Sequence, residues 1–175
     1  ELIKELLSIS TYTTISRGEQ FVRAGEIPVY AAYNLEGIAR LYYIDDDGND
    51  STKGFVTEGK FLLSYSAILQ KRDSYFSIEA IEDTTILKFK FSDWQRLIES
   101  DDRWYKFLFK MIESVYVMKE LREKSFLLDN ATKRYLEFKK NNPNIEDRVK
   151  KVYIASFLGI KPETLSRIRK KLELI

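Results

Sequence analysis

The stretch YIASFLGIKPETLSRIRKKL, residues 153–172, decides the reading of this chain. It divides into two short helical runs around Gly159. A helix-turn-helix needs a small residue where its helices cross, a residue tolerant of positive φ at the turn, and an apolar anchor beyond it. Ala155, Gly159 and Leu165 supply these in order. Pro162-Glu163-Thr164-Leu165-Ser166-Arg167 then reads as a helix start, followed by Arg169, Lys170 and Lys171. Such an element presents the first turns of its second helix to base edges in a DNA major groove.

Charge supports that expectation. The 175-residue chain carries a net charge of only +2. Residues 129–175, however, hold 12 of the 29 Lys and Arg and 6 of the 27 Asp and Glu, leaving 17 basic and 21 acidic residues upstream. A polyanion is therefore drawn to the C-terminal part and weakly repelled by the rest. A solvated basic helix surface is the plainer alternative. The apolar content of 44% suffices for a proper core in one or two domains.

Cysteine and histidine are both absent. Disulfides, Cys-held iron–sulfur clusters, Cys/His zinc sites, His-ligated haem and Ser-His or Cys-His catalytic pairs are excluded with them. No cofactor, no metal and no enzymatic activity are expected. A cupin-like enzyme is disfavoured, because metal chemistry in a β-roll normally rests on His ligands. No apolar run is long enough for a membrane span, and ELIKELLSIS lacks the pattern of a signal peptide, so a cytoplasmic protein is expected. The first residue is Glu1 rather than Met, which suggests a start part-way into the native protein.

Residues 11–90 read as all-β. Gly18, Gly25, Gly37, Gly48 and Gly59 punctuate the runs EQFVR, VYAAYN, GIARLYYI, DSTKGFV, YFSIEA and TILKFK. Short strands with turn signals at this spacing predict a sandwich or barrel-like roll. Asp45-Asp46-Asp47-Gly48-Asn49 is a hairpin tip by its chemistry. A calcium loop beginning at Asp45 would need Glu at position 56, where Val56 stands.

Ser92 is expected to cap a helix over 93–99. A longer amphipathic helix follows over about 102–124, with Phe107, Met111, Ser114, Met118 and Leu121 along one stripe, and is expected to pair with a second copy. Asp129 or Asn130 starts a further helix through Lys140, which Pro143 stops. The fold class is thus α+β: an antiparallel β-roll and long helix over residues 1–125, and a helix-turn-helix domain over 129–175, hinged between Ser125 and Asn130.

This order resembles the Crp/Fnr family of bacterial transcription regulators over nearly the whole chain. RGEQFVRAGEIPVYAAYNLEGIARLYYIDDDGNDSTKGFVTEGKF is similar to that family's cyclic-nucleotide-binding roll. RYLEFKKNNPNIEDRVKKVYIASFLGIKPETLSRIRKKL resembles its DNA-binding module, in a form associated with Bacteroidetes-type members. The resemblance implies that Glu163 accepts from a cytosine amino group and that Arg167 pairs with guanine, roles that agree with groove chemistry. Pro162 departs from the family's frequent Arg; it suits a first helical turn but removes one base-reading donor. Lys161, Thr164, Ser166, Arg169 and Lys170 are phosphate candidates, while Leu158, Leu165 and Ile168 are expected in the core. Glu163 and Arg167 also have the spacing of an ordinary surface ion pair.

For family members that bind cyclic AMP, the resemblance implies a Glu for the ribose and an Arg for the phosphate. Ser64 and Ser74 fall at those places here, and Leu63 at an expected Gly. Arg72 would substitute for the lost Arg only with its loop re-registered, and Lys119 and Glu120 stand where an adenine cap is expected. Losing both charged groups removes the bonds that hold an anionic ligand. Ser64, Tyr65, Arg72, Ser74 and Tyr75 are the candidate effector-pocket residues. Tyr33, Tyr42, Tyr65, Tyr75 and Phe76 line an apolar pocket or belong to the roll's core.

The expected function is a homodimeric DNA-binding transcription regulator on a near-palindromic site, unresponsive to cyclic AMP. Double-stranded DNA is its partner, RNA polymerase a candidate second one, and any small-molecule effector is unidentified. The alternative is a ligand-sensing or protein-interaction module without DNA binding. Family members commonly continue into a β-hairpin wing, which is expected to be truncated or absent after Leu172.

Overall fold

A computed structural model describes residues 1–173; the final two residues, on which part of the wing expectation falls, lie outside the described residues. The chain forms two compact units, residues 1–109 and 110–175, which divide inside one helix.

The first unit opens with a short helix α1 (Leu2–Ser8) and folds eight strands: β1 (Thr11–Ile15), β2 (Gln20–Val22), β3 (Tyr30–Glu36), β4 (Ala39–Ile44), β5 (Asp50–Val56), β6 (Phe61–Leu62), β7 (Ser77–Ala80) and β8 (Thr84–Lys90). Helix α2 (Tyr65–Gln70) lies between β6 and β7. The strands form two antiparallel sheets, ordered β1-β8-β3-β6 and β2-β7-β4-β5. Between them lies a core of Ile15, Val22, Leu62, Ile78, Ile86 and their neighbours. This is the roll expected from the sequence. Its tightest corner is Gly37, at φ +98°, where an added Cβ would sit 2.7 Å from the backbone of Asp83 and Thr84. At the β4–β5 tip, Asp45 accepts from the backbone of Asp47 and Asn49. The Asn49 bonds hold its carboxyl below the usual range, so the acidic loop is a self-satisfied turn.

Helix α3 (Phe91–Ser100) follows β8 directly. Its N-cap is Lys90, not Ser92, because the chain turns where Phe91 N–H donates 3.0 Å to the Val29 carbonyl, leaving Ser92 within the first turn. Trp94 is fully buried, stacked on Phe61 with centroids 5.1 Å apart. Helix α4 (Asp102–Leu128) starts in this unit. There Trp104 Nε1 donates 2.6 Å to Glu5, and Phe107 meets Phe61 and Trp104 edge-on.

The second unit begins within α4, which runs four residues past the expected end because Ser125-Phe126-Leu127-Leu128 contains no helix breaker. Then come α5 (Ala131–Asn141), α6 (Ile145–Arg148), α7 (Lys151–Leu158) and α8 (Pro162–Glu173). Asn130 caps α5, accepting 3.0 Å from Lys133 N–H. Tyr135, Phe138, Ile145, Ile154, Leu158 and Leu165 make this unit's core.

Candidate nucleic-acid interface

Helix α7 ends in a Schellman turn: Ile160 N–H donates 3.0 Å to the Ala155 carbonyl and Gly159 N–H 3.0 Å to that of Ser156. Gly159 sits at φ 66°, ψ 37°, in the left-handed region. The turn delivers Pro162 to the first position of α8, where its missing N–H leaves nothing unbonded. Ala155, Leu158, Leu165 and Ile168 are buried where the two helices cross, as expected.

What the core takes determines what is left outside. Lys161, Pro162, Glu163, Ser166, Arg167, Lys170 and Lys171 are exposed and Thr164 is half-buried. Arg167 Nη2 donates 3.2 Å to Thr164 Oγ1, and no ion pair joins it to Glu163 among the described residues. Both side chains therefore present their polar ends to solvent. Arg169 differs from the expectation. Two positions beyond Arg167 it points to the opposite side of the helix, half-buried, with Nε 3.5 Å from Glu146 Oε1. Glu146 also accepts 2.6 Å from Tyr135 and lies 3.5 Å from Lys139 Nζ. Arg169 thus belongs to the network holding α8 to α5 and α6.

Burial and the Glu146 carboxylate push the Tyr135 hydroxyl from 10.0 up to about 12. A raised folded-state value means that the native form keeps its proton longer than the unfolded chain. The associated stability is complete below pH 10.0 and lost as pH climbs towards about 12. Tyr135→Phe should therefore flatten the fall in melting temperature across that window, as read by circular dichroism.

A feature not legible in the sequence adjoins the exposed face. Asn130, Ala131 and Thr132, at the start of α5, line a shallow groove with Thr164, Arg167, Ile168 and Lys171 of α8. The positive end of a helix thus faces two cations, an arrangement that suits an anion such as a phosphate. The Asn130 cap was readable; its proximity to α8 is a tertiary fact.

Of the five effector candidates, Ser64 and Ser74 are brought together. Ser64 and Ser74, 0% and 2% exposed, lie with hydroxyls 2.9 Å apart, and Ser74 Oγ is 2.7 Å from the Phe76 carbonyl. Tyr65 instead packs edge-on against Phe91, and its burial raises the hydroxyl. Arg72 and Tyr75 are exposed, the guanidinium 4.6 Å from the ring centroid. Of the aromatics offered for a pocket, Phe76 is in the core and Tyr33 packs on Phe61. Tyr42 accepts from Gln20. The buried cation Arg40 is committed to Thr52 and Asp50. No group of His, Cys, Asp or Glu suited to a metal occurs among the described residues, and none of their helices is long and apolar enough to cross a membrane.

The chain thus joins an eight-stranded roll with a buried serine pair to a long helix and a helix-turn-helix. Residues 12–101 match the cyclic nucleotide-binding domain family, and the chain belongs to that family. Its fold is shared by FixK2 from Bradyrhizobium japonicum: TM-score 0.82, 20% identity, covering 95% of this chain and 85% of that one. It is also shared by the c-di-GMP responsive global regulator CLP of Xanthomonas campestris, with TM-score 0.73, 16% identity and coverage of 98% and 90%. The Catabolite Activator Protein of Thermus thermophilus follows at 0.61 and 18%, with coverage of 98% and 82%. No curated protein matches significantly.

Proposed function

We propose that this chain is a Crp/Fnr-type, sequence-specific DNA-binding transcription regulator, acting in the cytoplasm as a homodimer on a near-palindromic site. The observation that carries this reading is the outward face of α8, where Glu163, Ser166, Arg167 and Lys170 stand exposed over a buried Leu165–Ile168 seam. Glu163 and Arg167 read cytosine and guanine; Lys161, Thr164, Ser166, Lys170 and the start of α5 hold phosphates. The exposed apolar groups of α4, including Ile112, Met118 and Leu121, supply the seam between two copies. RNA polymerase is the natural second partner of such a regulator. A gel-shift titration tests the reading: salt-sensitive binding to a palindrome is expected, and no binding at moderate salt would favour a protein-interaction module instead.

Cyclic AMP is not its signal. Where a nucleotide-binding roll needs a carboxylate and a guanidinium, this one has two neutral hydroxyls bonded to each other. Burying an anionic phosphate against two neutral hydroxyls is strongly unfavourable. Calorimetry with millimolar cyclic AMP should show heat of dilution alone; a micromolar isotherm overturns this part of the reading.

A further inference from the structure

The last turns of α4 grip the helix-turn-helix. The Arg122 guanidinium lies 3.9 Å from the Phe157 ring centroid and 5.0 Å from that of Phe126. Its Nη2 donates 3.1 Å to the Phe157 carbonyl. From the other side of the inter-helix link, Arg134 Nε donates 3.1 Å to the Leu158 carbonyl and Nη1 2.7 Å to that of Asp129. The edge of Phe126 lies 2.7 Å from where a Cβ would stand on Gly159.

The Arg122–Phe157 and Arg134–Leu158 bonds and the Phe126 edge share one target, the C-terminal end of α7, while the Arg134–Asp129 bond ties α5 to the link. A helix end leaves carbonyls without intrahelical partners and carries partial negative charge, so two guanidinium groups bonded there are doubly favourable. Arg122 precedes the Asp129–Asn130 link and Arg134 follows it, yet both hold the same helix end. A link bridged in this way cannot bend without breaking hydrogen bonds on both sides.

We propose that Arg122 and Phe126 form a clamp that fixes the helix-turn-helix to the end of α4, so that Ser125–Asn130 is not a working hinge and the module is held in one orientation without any effector. The clamp is a matter of geometry alone. Its consequence, that DNA binding requires no small-molecule signal, rests on the function proposed above. Arg122 and Phe126 are positioning residues; neither lies on the exposed face of α8.

The chain contains no cysteine, so introduced cysteines report cleanly. Spin labels at Glu123→Cys on α4 and Lys151→Cys on α7 give the distance across the clamp in the full chain, diluted with unlabelled chain. A single narrow distribution is expected, unchanged by added cyclic AMP. Arg122→Gln with Phe126→Ala should broaden it at least about twofold and weaken binding to a palindromic site about tenfold, with helical content preserved. If the double variant loses helical content, Arg122→Gln alone decides by the same distances. A broad or two-peaked distribution in the unsubstituted chain, or one the substitutions leave narrow, overturns the clamp. A narrow distribution that these substitutions broaden, in a chain that binds no DNA, supports the clamp and defeats the DNA reading instead.

Discussion

Arg167→Ala is expected to weaken binding to a palindromic site by about 1–3 kcal/mol per half-site, hence roughly 2–6 kcal/mol for a dimer, and to erase preference at one base position. The side chain is free to reach because its bond to Thr164 Oγ1 is an exposed contact easily exchanged for a base edge. Two comparisons give the result its meaning. Lys170→Ala, a phosphate-type change, should lower affinity uniformly across sequences and reduce the salt slope by about one per half-site, hence about two for a dimer. Glu163→Ala should relax discrimination at a different position from Arg167→Ala. If Arg167→Ala leaves sequence preference intact, the base-reading role assigned to it is wrong.

Gly159→Ala is expected to destabilise the C-terminal unit by roughly 2–3 kcal/mol in urea unfolding. About 1–2 kcal/mol comes from forcing a side chain into the left-handed region. A further cost of about 1 kcal/mol arises because the new methyl group would meet the Phe126 ring at 2.7 Å. The two contributions are separable. Asn tolerates positive φ but keeps the collision, so Gly159→Asn should retain mainly the second cost. Gly159→Ala made in a Phe126→Ala chain, and compared with Phe126→Ala alone, avoids the collision and exposes mainly the first. Gly48, also at positive φ but with nothing within 4 Å, supplies a control for backbone strain alone.

The helix-turn-helix was legible because its determinants are local. A left-handed Gly159, a proline suited only to a helix start, and apolar residues at fixed offsets leave few alternatives over twenty positions. Asn130 likewise announced a cap, and the glycines announced the corners of the roll. Readings that needed tertiary information fared less well. Ser92 has the chemistry of a cap, yet a strand running straight into the helix moved the boundary to Lys90. Arg169 has the charge of a phosphate contact, but its position around α8 aims it at Glu146, a partner 23 residues earlier that no periodicity links to it. Ser64 and Ser74 were singled out separately, and only the tertiary fold, which returns the chain after α2 to the start of that helix, brings their hydroxyls together. The groove between α5 and α8 left no signature, since its two walls lie more than thirty residues apart.

Both indoles of this protein, Trp94 and Trp104, are buried in the first unit, and the second contains none. Tryptophan emission, excited beyond the tyrosine band, is therefore a private gauge of the roll, blind to the half that holds the helix-turn-helix. Backbone ellipticity, by contrast, is weighted towards the helices that dominate that half. Recording both signals along one denaturant series would show whether the two halves melt together or apart, with no dye attached.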